Sequence, residues 1–250
     1  MGSVAVDWPA DGVARVTIDN AAKRNALDAE ILEGLVRELP GLDARCVILT
    51  GAGDAFSAGY DIGNLTPERL ADVLIHPFEA AMAAVDAVPV PVIAALGGHA
   101  FGGGLELALG CDLRVCAPGA KLGMPPARLG VVYSHTGLRR FVDAIGTART
   151  RELFFTARPV GADEALSWGL VNEVTDEVEA RSVDLAHSVA ELAPMAQRGN
   201  KRVLQALIPP LDPALEAELE ALRRAAFASD DFAEGVRAFV EKRAPRWHGR

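Results

Sequence analysis

Glu106 is the residue of this chain best placed to do chemistry. It lies in an apolar run with Leu105, Leu107 and Leu109, directly behind the triplet Gly102-Gly103-Gly104. A carboxylate is costly to bury among leucines unless something uses it. Glycines that open a helix leave backbone N–H groups bare, and the helix dipole there favours negative charge. Anion-stabilising amides beside an acid/base suit a reaction next to a carbonyl. The segment PVIAALGGHAFGGGLELALGCD, Pro91–Asp112, is therefore a buried strand, a glycine turn and a helix in succession. CVILTGAGDAFSAGYDI, Cys46–Ile62, shares the design. Should the two turns converge, one amide from each can donate to a single oxygen. Such a pair is an oxyanion hole, in which each donor contributes about 2.7–4 kcal/mol.

The elements that must position these turns follow from periodicity. Strands are expected at Ala14–Asp19, Arg45–Thr50, Val92–Leu96 and Leu113–Cys116, with a short one near Leu170–Val174. Helical spacing covers Asn25–Leu39, with Asp28 or Asn25 as its cap, then Glu68–Val88, which Pro89 and Pro91 stop. Residues 54–66 and 119–133 read as loops. Beyond Thr136 the chain is mostly helical: through Phe155, then Val183–Leu192, Arg198–Leu207, Ala214–Ser229 and Phe232–Arg243. Strands alternating with helices, and then helices alone, predict an α/β core over 1–194 and a helical C-terminal module over 195–250.

Composition narrows the function. Half of the 250 residues are hydrophobic and a quarter charged, as in a globular protein. A net charge of −9 argues against nucleic acid as a partner. No basic leader precedes an apolar stretch, and glycines with Glu106 interrupt the longest apolar run, so neither secretion nor a membrane span is expected. Cys46, Cys111 and Cys116 lack metal-type spacing and read as reduced core thiols of a cytoplasmic protein. No metal site is expected.

G-x-G-x-A-F-S-A-G-x-D-I, then G-G-G-x-E-L-A-L-x-C-D, together with KRNAL at Lys23–Leu27 and EGVRAFVEKRAP at Glu234–Pro245, form a specific set. With these motifs in order nearly end to end, the chain resembles the enoyl-CoA hydratase/isomerase (crotonase) superfamily. The resemblance implies an α/β crotonase fold of repeated ββα units with a helical C-terminal trimerisation module. It implies an acyl-CoA thioester as substrate, coenzyme A being part of that substrate and no separate cofactor being needed. It further implies a homotrimer or a dimer of trimers. By position, the oxyanion amides would be those of Tyr60 and Gly103, where the missing side chain admits a thioester. Lys23, Arg24 and Ala58 would lie along CoA, while Phe239 and Lys242 resemble the pair that reaches a neighbouring subunit's CoA.

The chain departs from the resemblance at one point that matters. Hydratases of this type carry two glutamates around one water; Glu106 matches the first, and Pro126 stands at the second, in LGMPPARLG. Proline can neither hold a water nor move its proton. The isomerases often use only that second position. Further on, Tyr133 and His135 replace a small glycine-rich turn, and the loop from Met124 to Tyr133 looks most like that of methylmalonyl-CoA decarboxylases, although those tend to have histidine where Tyr60 stands. A substrate with its own carboxylate would be repelled by a second glutamate. Decarboxylation of a malonyl-type thioester is thus ranked slightly ahead of hydration, with isomerisation third, all through one enolate with Glu106 as acid/base and Tyr133 orienting the acyl group. A non-catalytic acyl-CoA binding protein is the alternative from another class. A dinucleotide site at Gly51-Ala52-Gly53 fails because Phe56 holds the third glycine's place. Bland roles are also assigned: Asp61 as a cap, Asp112 as an anchor, His135 as a solvated loop residue, and the glycine triplet as a close-packing device.

Overall fold

The computed structural model describes residues 2–61, 67–208 and 211–249, and of residues 67–76 the backbone alone. Ile62 and the rest of 62–66, as well as the side chain of His76, lie outside the described residues.

The alternating run near the N-terminus forms a hairpin, β1 (Ser3–Ala10) against β2 (Val13–Asp19). Helix α1 (Ala29–Glu38) starts where Asp28 accepts a hydrogen bond from the Ile31 N–H at 3.0 Å. Of the two expected caps, then, Asp28 is the cap, and Asn25 has another task. Three strand–strand–helix units follow: β3 (Cys46–Gly51), β4 (Ala55–Ser57) and α2 (Pro67–Ala87); β5 (Val92–Leu96), β6 (His99–Phe101) and α3 (Gly103–Gly110); β7 (Leu113–Cys116), β8 (Lys121–Gly123) and α4 (His135–Thr156). Next come β9 (Val160–Gly161), α5 (Ala162–Trp168), β10 (Glu173–Val174) and α6 (Val178–Ala190). The C-terminal helices are α7 (Pro194–Ala206), α8 (Pro213–Phe227) and α9 (Asp230–Val240).

The first strand of each unit enters a six-stranded sheet of order β1-β2-β3-β5-β7-β10, and the second enters a four-stranded sheet of order β4-β6-β8-β9. This is the ββα repeat expected from the resemblance. Strands β3 and β5 read as unbroken apolar runs because both faces are covered. Val47 and Leu49 point into the main core, while Cys46 and Ile48 pack with Ile93 under Val178, Ala186 and Ala190 of α6. The short strands β4, β6 and β8 fall in segments whose sequence reads as loop or turn. They are two or three residues from a chain reversal, too short to show a period of two.

All three cysteines are buried thiols, and burial pushes Cys46 and Cys111 up to about 12 and Cys116 to about 11. Asp112 is an anchor, as expected: its carboxylate accepts from the Val92 N–H and from Lys201 of α7, each at 2.7 Å. Among the described residues, no helix is long and apolar enough to cross a membrane.

Candidate active site

Repetition of the ββα unit brings the two glycine turns side by side, since β4 pairs with β6 in parallel. The first turn is braced by the segment Lys23–Leu27. The Ala58 N–H donates to the Arg24 carbonyl at 2.9 Å, and the Leu27 N–H donates to that of Gly59 at 2.7 Å. Asn25 is wholly buried, with Nδ2 donating to the carbonyls of Ala52 (2.7 Å) and Ala55 (2.8 Å). Its own carbonyl accepts from the Ser57 hydroxyl at 2.7 Å, and that Oγ accepts in turn from the Gly59 N–H at 3.2 Å. A buried amide that satisfies main-chain carbonyls fixes a loop that has no regular structure of its own. The first turn is therefore preorganised by a motif 27 to 32 residues upstream in the chain.

The two turns touch. A Cβ on Gly59 would stand 2.7 Å from the Phe101 carbonyl oxygen and 3.4 Å from Gly103 N. A Cβ on Gly104 would meet the Ser57 Cβ at 2.6 Å, and one on Gly103 would meet Tyr60 Cε2 at 3.0 Å. Close packing is thus one task of the glycine triplet, and at Gly104 it suffices to explain the residue. Gly103 is the first residue of α3, where helix geometry supplies no intrahelical acceptor for the N–H and the dipole is positive.

Glu106 stands in the first turn of α3 and is 3% exposed. Its Oε2 accepts a short hydrogen bond from the Tyr133 hydroxyl, and its Oε1 lies 3.9 Å from Arg140 Nε. Burial raises the carboxyl's pKa above the usual range; the Tyr133 hydrogen bond and the charges of Arg140 and Arg223 oppose that shift, and Asp86 adds to it. Burial likewise lifts the Tyr133 and Tyr60 hydroxyls well above their ordinary value, with the nearby Glu106 charge adding to the effect. Both tyrosines are therefore neutral donors at physiological pH. The approach of Tyr133 to Glu106 depends on Gly137, where a Cβ would stand 2.6 Å from the Tyr133 ring and 2.8 Å from Glu106 Oε1.

These groups face a cleft of about 1050 Å³. Ala58, Tyr60, Gly103, Glu106, Tyr133 and Phe239 all line it. Lys23, Arg24 and Lys242 do not: Lys23 pairs with Asp61, and Arg24 and Lys242 are exposed on left-handed backbone. Asp61 forms that ion pair, and the turn it was expected to cap lies outside the described residues. Pro126 lines the cleft wall, so the place of a second glutamate does face the site. His135 also departs from expectation. It faces the cleft with its Nε2 3.4 Å from Glu216 Oε1 of α8, because Ser134 caps α4 and draws the histidine into the first turn.

A charged girdle with no signal in the sequence also lines the cleft. It consists of Asp86 and Glu79 from α2, Arg140 from α4 and Arg223 from α8. Arg140 binds Asp86 through both terminal nitrogens (2.9 and 2.5 Å), and Arg223 Nη1 binds Glu79 at 2.8 Å. Partners 54 and 144 residues apart leave no signal in spacing. Helices α8 and α9 cover the cleft of their own chain, and Phe239 joins that lining.

The sequence profile of the enoyl-CoA hydratase/isomerase family matches residues 9–250. This chain belongs to the enoyl-CoA hydratase/isomerase family. Family members of similar sequence include a probable enoyl-CoA hydratase of Bacillus subtilis, 36% identical over 258 residues and covering 99% of this chain and 98% of the relative. The probable enoyl-CoA hydratase echA8 of Mycobacterium tuberculosis is 34% identical, covering 94% of each. Among solved structures, a methylmalonyl-CoA decarboxylase in complex with 2-nitronate-propionyl-CoA superposes with a TM-score of 0.90 at 30% identity, over 99% of each chain. An enoyl-CoA hydratase from Bacillus anthracis gives 0.78 at 31% identity, over 99% of this chain and 100% of the other.

Proposed function

We propose that this protein decarboxylates a malonyl-type CoA thioester through an enolate. In this reading the backbone N–H groups of Tyr60 and Gly103 grip the thioester oxygen, aided by the N-terminal dipole of α3. The bond between the α-carbon and the substrate carboxylate breaks, its electron pair enters the enolate, and carbon dioxide leaves. A proton then returns to the α-carbon by way of the Tyr133 hydroxyl and Glu106, which are already hydrogen-bonded to each other. Glu106 is the acid/base, and Tyr133 orients the acyl group. Lys23, Arg24, Ala58, Phe239 and Lys242 are assigned to coenzyme A, which belongs to the substrate.

One observation carries this reading over two-carboxylate hydration: Glu106 is paired with a tyrosine, and proline faces the cleft where the second glutamate would be. The decarboxylase structures also superpose at least as well as the hydratases (0.90 against 0.78 for the two compared above), which supports the same choice. Hydration of an enoyl-CoA is the second reading, favoured by the names of the sequence relatives. Self-association through the C-terminal helices, as a trimer or hexamer in the cytoplasm, belongs to the proposal. Met195, Val203, Leu204 and Leu207 of the α7 region are exposed apolar side chains that a second copy would cover.

The test is incubation with methylmalonyl-CoA, and separately crotonyl-CoA, in heavy water with mass-spectrometric detection. The expected product is propionyl-CoA carrying at least one deuterium at the α-carbon. Faster water addition to crotonyl-CoA would replace the reading with hydration; CoA-ester binding without turnover of either would replace it with a binding protein.

A further inference from the structure

Arg140 joins Asp86 to Glu106 in an arrangement that a plain ion pair does not require. The Asp86 carboxylate takes both terminal nitrogens of Arg140, at 2.9 and 2.5 Å, and this two-point grip fixes the plane of the guanidinium. Asp86 is anchored in turn, since its carbonyl accepts from Gln205 Nε2 of α7 at 3.0 Å. The remaining nitrogen, Nε, lies 3.9 Å from Glu106 Oε1. It is buried and has no hydrogen-bond partner among the described residues. Native structures leave few buried donors unpaired, and each such donor calls for a reason.

The separation supplies the reason. A separation of 3.9 Å is too long for a hydrogen bond, yet the guanidinium charge still acts across it in a buried site. The carboxylate is thereby favoured while the lone pairs of Oε1 stay unused; Tyr133 occupies the other oxygen, Oε2. A buried general base needs both properties, a retained charge and an open lone pair. We infer that Arg140, aimed by Asp86, is a positioning residue that keeps Glu106 ionised and leaves Oε1 open to a proton. The inference rests on the proposed function for the role of Glu106, and goes beyond it by assigning what sets that role.

Asp86 offsets part of the Arg140 charge, and burial decides the balance. The Arg140 side chain is 24% exposed with Nε fully covered, whereas that of Asp86 is 42% exposed. Solvent therefore screens the anion more than the cation that faces Glu106. The other groups acting on Glu106 are the Tyr133 hydroxyl, whose hydrogen bond also favours the carboxylate, and Arg223 of α8, which is itself paired with Glu79. The Tyr60 phenol shares the cleft and feels the Glu106 charge.

The test is a carbon-13 NMR titration of the native protein labelled at its glutamate side-chain carboxyls, with Glu106 assigned by its absence from Glu106→Gln. Arg140→Gln is expected to move the Glu106 midpoint up by about one pH unit or more. Asp86→Asn is expected to move it down, by about half a unit, because the cation stays and its counter-charge goes. Arg140→Lys keeps the charge without the fork and should leave the midpoint nearer to wild type than Arg140→Gln does. A structural strut would behave otherwise: both Arg140→Gln and Asp86→Asn break the same ion pair, so both would lower the melting temperature with no opposed shifts. A midpoint that stays put in Arg140→Gln, or that moves the same way in both variants, would overturn the assignment. If Arg140→Gln does not fold, Asp86→Asn decides alone, and a midpoint that fails to fall overturns it. The titration needs no substrate, so the two readings fail separately. Opposed shifts without α-deuterium exchange into isobutyryl-CoA refute only the enolate chemistry, and exchange with unmoved midpoints refutes only the role of Arg140.

Discussion

Replacing Tyr133 by phenylalanine removes one oxygen and leaves the ring's edge contact with Phe154, whose centroid lies 5.4 Å away. What disappears is the hydrogen bond to Glu106 Oε2. A hydrogen bond to a charged group contributes about 1.5–3 kcal/mol, and this one favours the ionised carboxylate. Its loss should raise the protonated-to-ionised ratio of Glu106 by about tenfold to a hundredfold, since 1.36 kcal/mol is one pH unit. The assay is the pH dependence of α-deuterium exchange into isobutyryl-CoA, which needs Glu106 as a base. Its acid limb should move up by about one to two pH units in Tyr133→Phe, with near-normal exchange regained at higher pH. A limb that stays in place while the plateau falls would mean that Tyr133 touches the acyl group without tuning Glu106. An unchanged profile and plateau would refute the role altogether.

Further outcomes follow from the same geometry. Because burial raises Glu106 in the native state, its protonation stabilises the fold at low pH, and that contribution is lost as pH rises through the folded value. Glu106→Gln, which has no charge to bury, should therefore gain stability relative to wild type as pH increases in urea titrations; a pH-independent difference would count against the shift. Gly104→Ala should cost about 1–3 kcal/mol, because its Cβ would press on the Ser57 Cβ at 2.6 Å and carbonyl oxygen at 2.7 Å. Gly119→Ala, with nothing within 4 Å, should leave the melting temperature unchanged, and equal effects would contradict the packing argument. With thiols pushed up to about 12, 12 and 11 and shut inside the core, the native protein at neutral pH should resist iodoacetamide until denaturant is added; rapid native alkylation would show that one of them is open.

Much of the site was legible in the chain because its signals are local. A run such as Val92–Leu96 is apolar at every position, and the structure gives the same bounds for β5. Gly102–Gly104 followed by Glu106 marks a helix start and a buried acid within five residues, and both are there. The hairpin strand β1, the short strands of the second sheet and helix α5 were not legible. They are brief or edge elements whose pairing is decided elsewhere in the chain. Asn25 shows the same limit from another side: its residue type suggested a cap, but its side chain serves carbonyls at 52 and 55.

Sequence alone determined the acidic residue of the cleft, the absence of a carboxylate at Pro126 and the motifs whose resemblance implied the family and, through it, the ββα repeat. Each is written in a short run whose meaning depends on neighbours a few positions away. Only the tertiary structure decided that Glu106 is met by Tyr133 on one side and Arg140 on the other. It also decided that Arg223 comes back from the covering helix to the same cleft, and that His135 turns toward Glu216. Charge pairing acts through space, and folding brings these partners together from helices far apart in the chain.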